Sequence, residues 1–242
     1  MKLIGVMGNG GSGKTTFTNY LGEKKNVGVI HVDDYVGEIK KKYFRIFLQP
    51  KENNTTEATR ENPKLKTDVK AFFYRNKLAF KFLMALRSKL VEDSINKQIE
   101  DFKRNGKKVI IIDDWALPTH KKLLPKLSQI YSIKRGFISR REGLQERDGL
   151  DRKELRVSDL PYATGSIKEP TDMKVVEIHN NGSFESLFEK AEQEYEKIGE
   201  LTFDERYSLK DKDNIKIAAE KLRKARQIAQ ENKTTQSRQF DD

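Results

Sequence analysis

Short apolar runs rich in β-branched residues alternate along the chain with longer stretches in which apolar positions recur every three or four residues. The runs are KLIGVM (2–7), VGVIHV (27–32), KVIIID (108–113), QIYSI (129–133) and KVVEIH (174–179). Each is nearly continuous in apolar side chains, the pattern of strands covered on both faces. Such strands separated by helical stretches predict a three-layer α/β/α fold around a five-stranded parallel sheet.

The gap between the second and third runs, residues 36–106, reads as a helical insertion. Its first part, QPKENNTTEATRENPK, is polar and predicts a loop. Its second part predicts a long helix: Leu78, Phe82, Leu86 and Leu90 follow at four-residue steps, Ile95, Ile99 and Phe102 continue them, and Asn105-Gly106 supplies a stop. Phe72, Phe73, Tyr74, Phe80 and Phe82 at helical spacing read as packing residues rather than a cofactor box, and as packing they would close the insertion over the active site. After Ile178, HNNGS predicts a turn and FESLFEKAEQEYEKI an amphipathic helix. These elements make one unit of residues 1–200. In the tail, 201–242, DNIKIAAEKLRKARQIAQ predicts a helix with Ile217, Leu222, Ala225 and Ile228 on one side, whereas ENKTTQSRQFDD reads as disordered.

Composition narrows the class. The 242 residues are 36% apolar and 35% charged, as expected for long solvated helices. No run reaches the roughly 18–20 apolar residues that span a bilayer, and the apolar start is too short for a signal peptide. The absence of cysteine excludes disulfides and thiolate metal sites and fits a reducing cytoplasm. The three histidines lack zinc spacing, and His31, on a strand, is expected to face the core. A net charge of +11 has three readings: a polyanionic ligand, a nucleic acid, or a lysine-rich solvated surface.

Residues 8–15, GNGGSGKT, match G-x-x-x-x-G-K-[ST] between a strand and a helix start, the phosphate-binding P-loop. Backbone amides of Gly8, Asn9, Gly10, Gly11, Ser12 and Gly13 are expected to curl around phosphate oxygens at a helix N-terminus, with Lys14, Thr15 and Thr16 completing the cradle. Lys14 places a charge on the β- and γ-phosphates, and Thr15 offers its hydroxyl to Mg²⁺. The expected ligands are therefore ATP and Mg²⁺.

Other motifs bear on what is done with the nucleotide. The guanine-reading string N-K-x-D is absent. The second strand runs into Asp33-Asp34, where a carboxylate either caps the next helix or takes the proton of an attacking hydroxyl. The third ends in Asp113-Asp114, either a capped turn or the second metal support, with Asp113 on Mg²⁺. Trp115 beyond it is a rim aromatic or a stacking platform. SRREGLQERDGLDRKELR concentrates Arg140, Arg141, Arg147, Arg152 and Arg156 over 138–165, forming either a lid that clamps a transferring phosphoryl group or a basic face for RNA.

In this order the segments resemble the dephospho-coenzyme A kinases, within the P-loop nucleotide and nucleoside kinase group. VIHVDDYVGE is similar to that family's VIDAD stretch, AFFYRNKLAFKFLMALRSKLV to its acceptor-side helices, RDGLDRKEL to its lid, and VVEIHNNGSFESL to its late strand and turn near the adenine. The resemblance implies Asp33 as catalytic aspartate, Arg147 with Arg140 or Arg141 as lid arginines, and Asn181 and Gly182 beside the nucleotide. It also implies transfer of the γ-phosphoryl of ATP to the ribose 3′-hydroxyl of dephospho-coenzyme A, in a monomer or small homo-oligomer. Two departures lie on the acceptor side. Ser88-Lys89 stands where the family has His-Pro, and DDWAL replaces its Pro-Leu-Leu-x-Glu. HVDDY also resembles uridine kinases, which makes a nucleoside or nucleotide the alternative acceptor. The rival of another class is a P-loop ATPase or regulatory module that binds RNA through its basic lid and tail.

Overall fold

Five strands, β1 (Lys2–Met7), β2 (Val27–His31), β3 (Val109–Asp113), β4 (Gln129–Lys134) and β5 (Val175–His179), pair in parallel in the order β2-β3-β1-β4-β5. The structure, a computed structural model, describes residues 1–39, 71–148, 152–198 and 212–238. All five apolar runs become strands; β3 is buried along its whole length, whereas β5, at the sheet edge, buries only Ile178. Ile110 and Ile112 of β3 enter one core, and Val109 and Ile111 enter the other.

The helices are α1 (Lys14–Gly22), α2 (Val32–Ile39), α3 (Lys77–Arg104), α4 (Phe137–Asp148), α5 (Arg152–Ala163), α6 (Phe184–Ile198) and α7 (Lys212–Arg238). α3, the segment 115–127 and Val157 of α5 cover one face of the sheet; α1, α6 and the first part of α7 cover the other. The α/β/α layering anticipated from the sequence is the observed fold.

Helix α3 stops where expected and buries Ile95 and Ile99 as expected, but its first half turns a different face inward. The Asn76 side chain accepts from the amides of Leu78 and Ala79, both at 3.1 Å, and Gly106 closes the helix at φ 72°. The buried series is Phe80, Met84, Arg87, Val91, Ile95 and Ile99. Leu78, Phe82 and Leu86, expected inside, are 79%, 70% and 43% exposed, and Phe72 is exposed too. The inward face contains an arginine, so a search for apolar periodicity favours the competing series. Tyr74 and Phe80 do pack, edge to face with ring centres 5.7 Å apart. The polar stretch 49–64 lies outside the described residues.

The tail also departs from expectation. α7 continues to Arg238, so the stretch 231–238 is helical rather than disordered. Ile215 and Ala219 bury against the α1/α6 face with Leu222 partly covered, whereas Ile217, Ala225 and Ile228 point outward. Contact with α6 selects that face.

Candidate functional site

The glycine loop leaves β1, the central strand, and Gly13 caps α1 in the left-handed region at φ 96°. A Cβ there would collide with Asn180 Nδ2, and one on Gly8 would collide with the Ile133 carbonyl oxygen, so neither position has room for a side chain. Asn180 Nδ2 donates to the Ser12 carbonyl at 2.8 Å, and Arg140 Nη1 donates to the Gly10 carbonyl at 3.1 Å. Ser12 Oγ is buried and has no hydrogen-bond partner among the described residues. Lys14 is half-buried and forms no ion pair among the described residues. Glycines, an orphaned hydroxyl and an unpaired ammonium at a helix N-terminus suit an anionic ligand.

Asp113 and Asp114 are consecutive, so strand alternation sends them to opposite faces of the sheet. Asp113 turns to the α1 side. Its Oδ2 accepts from Thr15 Oγ1 at 3.1 Å and Thr18 Oγ1 at 3.3 Å. His31 is its register partner on β2 and places Nδ1 3.1 Å from the same oxygen, while Nε2 lies 2.8 Å from Asn19 Oδ1. His31 therefore faces the site and not the core, because it is the last residue of its strand and meets the polar first turns of α1. The hydrogen bond to Asp113 raises the His31 pKa above 6.5; burial opposes this, and the charges of Asp113, Asp34 and Asp33 add to it. Among the described residues no three His, Asp or Glu side chains form a metal-holding group. One carboxylate and one hydroxyl suit Mg²⁺, which takes much of its shell from water and substrate phosphates.

Asp114 turns to the α3 side, fully buried. Arg87 Nη1 and Nη2 grip its two oxygens at 2.8 and 2.7 Å, and His120 Nε2 lies 2.6 Å from Oδ2. Burial would push Asp114 up, but the Arg87 charge and the hydrogen bonds from His120 and Arg87 outweigh it and hold the carboxyl well below the usual range. With Asp114 ionised, His120 Nε2 carries the proton. The 3.2 Å approach of Arg87 Nη1 to that nitrogen is then donor to donor, and Nδ1 meets the Ser88 hydroxyl at 2.9 Å. Ser88 of α3 is thus tied to His120 of the segment that follows β3.

Asp33, in the first turn of α2, lies 3.4 Å from Arg87 Nη2, and its side chain is 70% exposed. Partial desolvation and the Asp114 charge raise its pKa, against Arg87 and Lys14, which lower it. Trp115 is half-buried against the core, with the Arg87 guanidinium 5.7 Å from its ring centre.

The carboxyl edge of the sheet thus gathers residues 8–16, Asp33 and Asp113. Arg140 comes to the loop, but its fork is engaged by Asp159 at 2.8 and 2.9 Å. The side chain of Arg147 lies outside the described residues. Asn181 and Gly182 are exposed beyond β5, where Asn181 Oδ1 accepts from the Gly136 amide at 3.1 Å. Sequence reasoning missed Arg87, His120, Asp159 and Asn180. Arg87 and Asn180 lie inside segments singled out for other residues, His120 and Asp159 lie in no motif, and only the fold brings all four together.

No helix among the described residues is long and apolar enough to cross a membrane. No protein-family model matches the chain, and no curated protein matches it. Among solved structures, the crystal structure of TT1252 from Thermus thermophilus aligns with 18% identity and a TM-score of 0.57, over 83% of this chain and 98% of that one. An unliganded sugar kinase from Janibacter sp. HTCC2649 aligns with 14% identity and a TM-score of 0.43, over 81% and 95%. The likeness to TT1252 concerns the fold alone, an α/β protein around a five-stranded parallel sheet in the order β2-β3-β1-β4-β5.

Proposed function

We propose that this protein is an ATP-dependent phosphotransferase that moves the γ-phosphoryl group onto a hydroxyl of a small anionic acceptor. The first candidate acceptor is the ribose 3′-hydroxyl of dephospho-coenzyme A. Residues 1–200 would form the kinase unit, with 36–106 on the acceptor side and 138–165 as the lid. The observation that carries the reading is the Thr15 hydroxyl set against the Asp113 carboxylate, beside a glycine loop whose lysine has no ion partner among the described residues.

Bound Mg·ATP supplies the transferable phosphoryl group. The loop amides and Lys14 hold the polyphosphate, and Thr15 and Asp113 hold Mg²⁺, directly or through water. Asp33 orients the acceptor hydroxyl and takes its proton as the oxygen bonds to phosphorus and the bond to the ADP oxygen breaks. Its pKa, raised by desolvation and the Asp114 charge, makes it a better base than an ordinary aspartate. Arg147 and Arg141 are the lid cations for the transferring group. A nucleoside acceptor is the second reading, favoured by Asp33 in the first turn of α2, two residues past the end of β2.

The test is phosphoryl transfer from labelled ATP by purified protein, screened against dephospho-coenzyme A, nucleosides and nucleoside monophosphates. Transfer to one acceptor class that collapses in Asp33→Asn is the expected result. ATP hydrolysis that needs RNA, ignores every small acceptor and survives Asp33→Asn would overturn it.

A further inference from the structure

We propose that Arg140 and Asp159 are positioning residues for the phosphate loop, holding the Gly10 carbonyl outward so that the Gly11 amide faces the polyphosphate. The proposal rests on the phosphotransferase reading only for the identity of the anion.

The C=O and N–H of one trans peptide unit point in opposite directions, so anchoring the oxygen on one side aims the hydrogen at the other. Two peptides of the loop are anchored in this way. Gly10 O accepts from Arg140 Nη1 at 3.1 Å, and Ser12 O accepts from Asn180 Nδ2 at 2.8 Å. Their partner amides belong to Gly11 and Gly13, and neither donates to any group among the described residues. The peptide between them behaves differently. The Ser12 amide turns back on the Asn9 carbonyl at 3.1 Å, and Arg135 Nη1 stands 3.5 Å from Gly11 O. The loop thus presents alternate amides, each fixed from behind.

Asp159 is what keeps Arg140 in place. Both of its oxygens engage the guanidinium fork, and Asn9 Nδ2 of the loop reaches Oδ1 at 3.4 Å. The Arg140 side chain is 8% exposed, so a phosphate arriving over the lid meets no free fork there. Arg140 belongs to α4 and Asp159 to α5, so the two lid helices bear together on the loop backbone. This gives Arg140 a role behind the loop, in place of the phosphate contact its sequence context implies.

Mg·ADP affinity by calorimetry and the Gly11 amide resonance of the unliganded protein test the idea in Arg140→Met, Arg140→Lys and Asp159→Asn. Removing a carboxylate near an anion site should by charge alone tighten binding; loss of positioning weakens it. We expect Asp159→Asn and Arg140→Met each to weaken Mg·ADP by about tenfold, the scale of one charge-assisted hydrogen bond. The double variant should be little weaker than either single one, and Arg140→Lys should recover only part, having no fork. The Gly11 resonance should move in each variant while that of Gly5, inside the sheet, stays. Asp159→Asn binding as tightly as wild type or tighter overturns the proposal, as does an unmoved Gly11 resonance in folded Arg140→Lys or Asp159→Asn. If wild-type protein binds no Mg·ADP, the phosphotransferase reading falls, and the Gly11 resonance still decides the clamp.

Discussion

Thr15 Oγ1 and Asp113 Oδ2 stand 3.1 Å apart, one at the head of the helix after the phosphate loop and the other at the tail of the neighbouring strand. Asparagine at 113 keeps an oxygen for both threonine hydroxyls and removes the charge. Asp113→Asn should therefore raise the Mg²⁺ concentration needed for half-maximal turnover by about 10–100-fold, the usual scale for disturbing a metal's support. A Mg²⁺ titration of activity checks this.

Arg87 and Asp114 are a buried pair, their side chains 8% and 0% exposed. Arg87→Met should cost about 3–5 kcal/mol in urea unfolding because it strands a buried carboxylate. Arg87→Met combined with Asp114→Leu should recover much of that loss. Asp114 has a depressed folded pKa, so its contribution is complete above the unfolded carboxylate pKa and is lost as the pH falls below it toward the folded value. Acid unfolding of wild type and double variant should differ in that window.

The two faces of α3 separate in a simple mutational pair. Phe80→Ala, on the buried face, should cost about 3–5 kcal/mol. Phe82→Ser, two residues on, should stay within about 0.5 kcal/mol, as exposed sites do. Equal losses at both positions in chemical denaturation would refute the assigned rotation.

His31 titrates against Asp113. Its raised folded pKa gives a contribution that is complete below the unfolded value near 6.5 and is lost as the pH rises through the folded one. Histidine NMR should place the His31 midpoint above 6.5 in metal-free protein, and Asp113→Asn should lower it.

Asp33 should leave its mark on the pH profile. A carboxyl raised by desolvation and Asp114 releases its proton later than an ordinary aspartate, so kcat/KM should fall with acid through a value above the usual 3.8. The Arg87 charge opposes that rise, and Arg87→Met should move the acid limb to still higher pH, provided the variant is folded.

Much of this was legible in the chain. The five strands could be read because each is apolar on both faces, and the phosphate loop because its glycines, lysine and threonine are adjacent. The rotation of α3 could not, since Arg87 occupies an inward position that an apolar pattern counts as outward. The direction of His31 could not either, because it depends on which residue of β3 lies beside it.

Local sequence therefore determined the layered sheet, the helix limits at Asn76 and Asn105-Gly106, and the loop that awaits an anion, because strand burial, capping and glycine conformation act over a few residues. The tertiary structure alone decided how the paired aspartates are used, sending Asp113 toward Thr15 and Asp114 toward Arg87. It also set Arg140 behind the loop, on Asp159. The partners of a buried charge come from distant segments, and only the packing of helices on the sheet brings them within hydrogen-bonding reach.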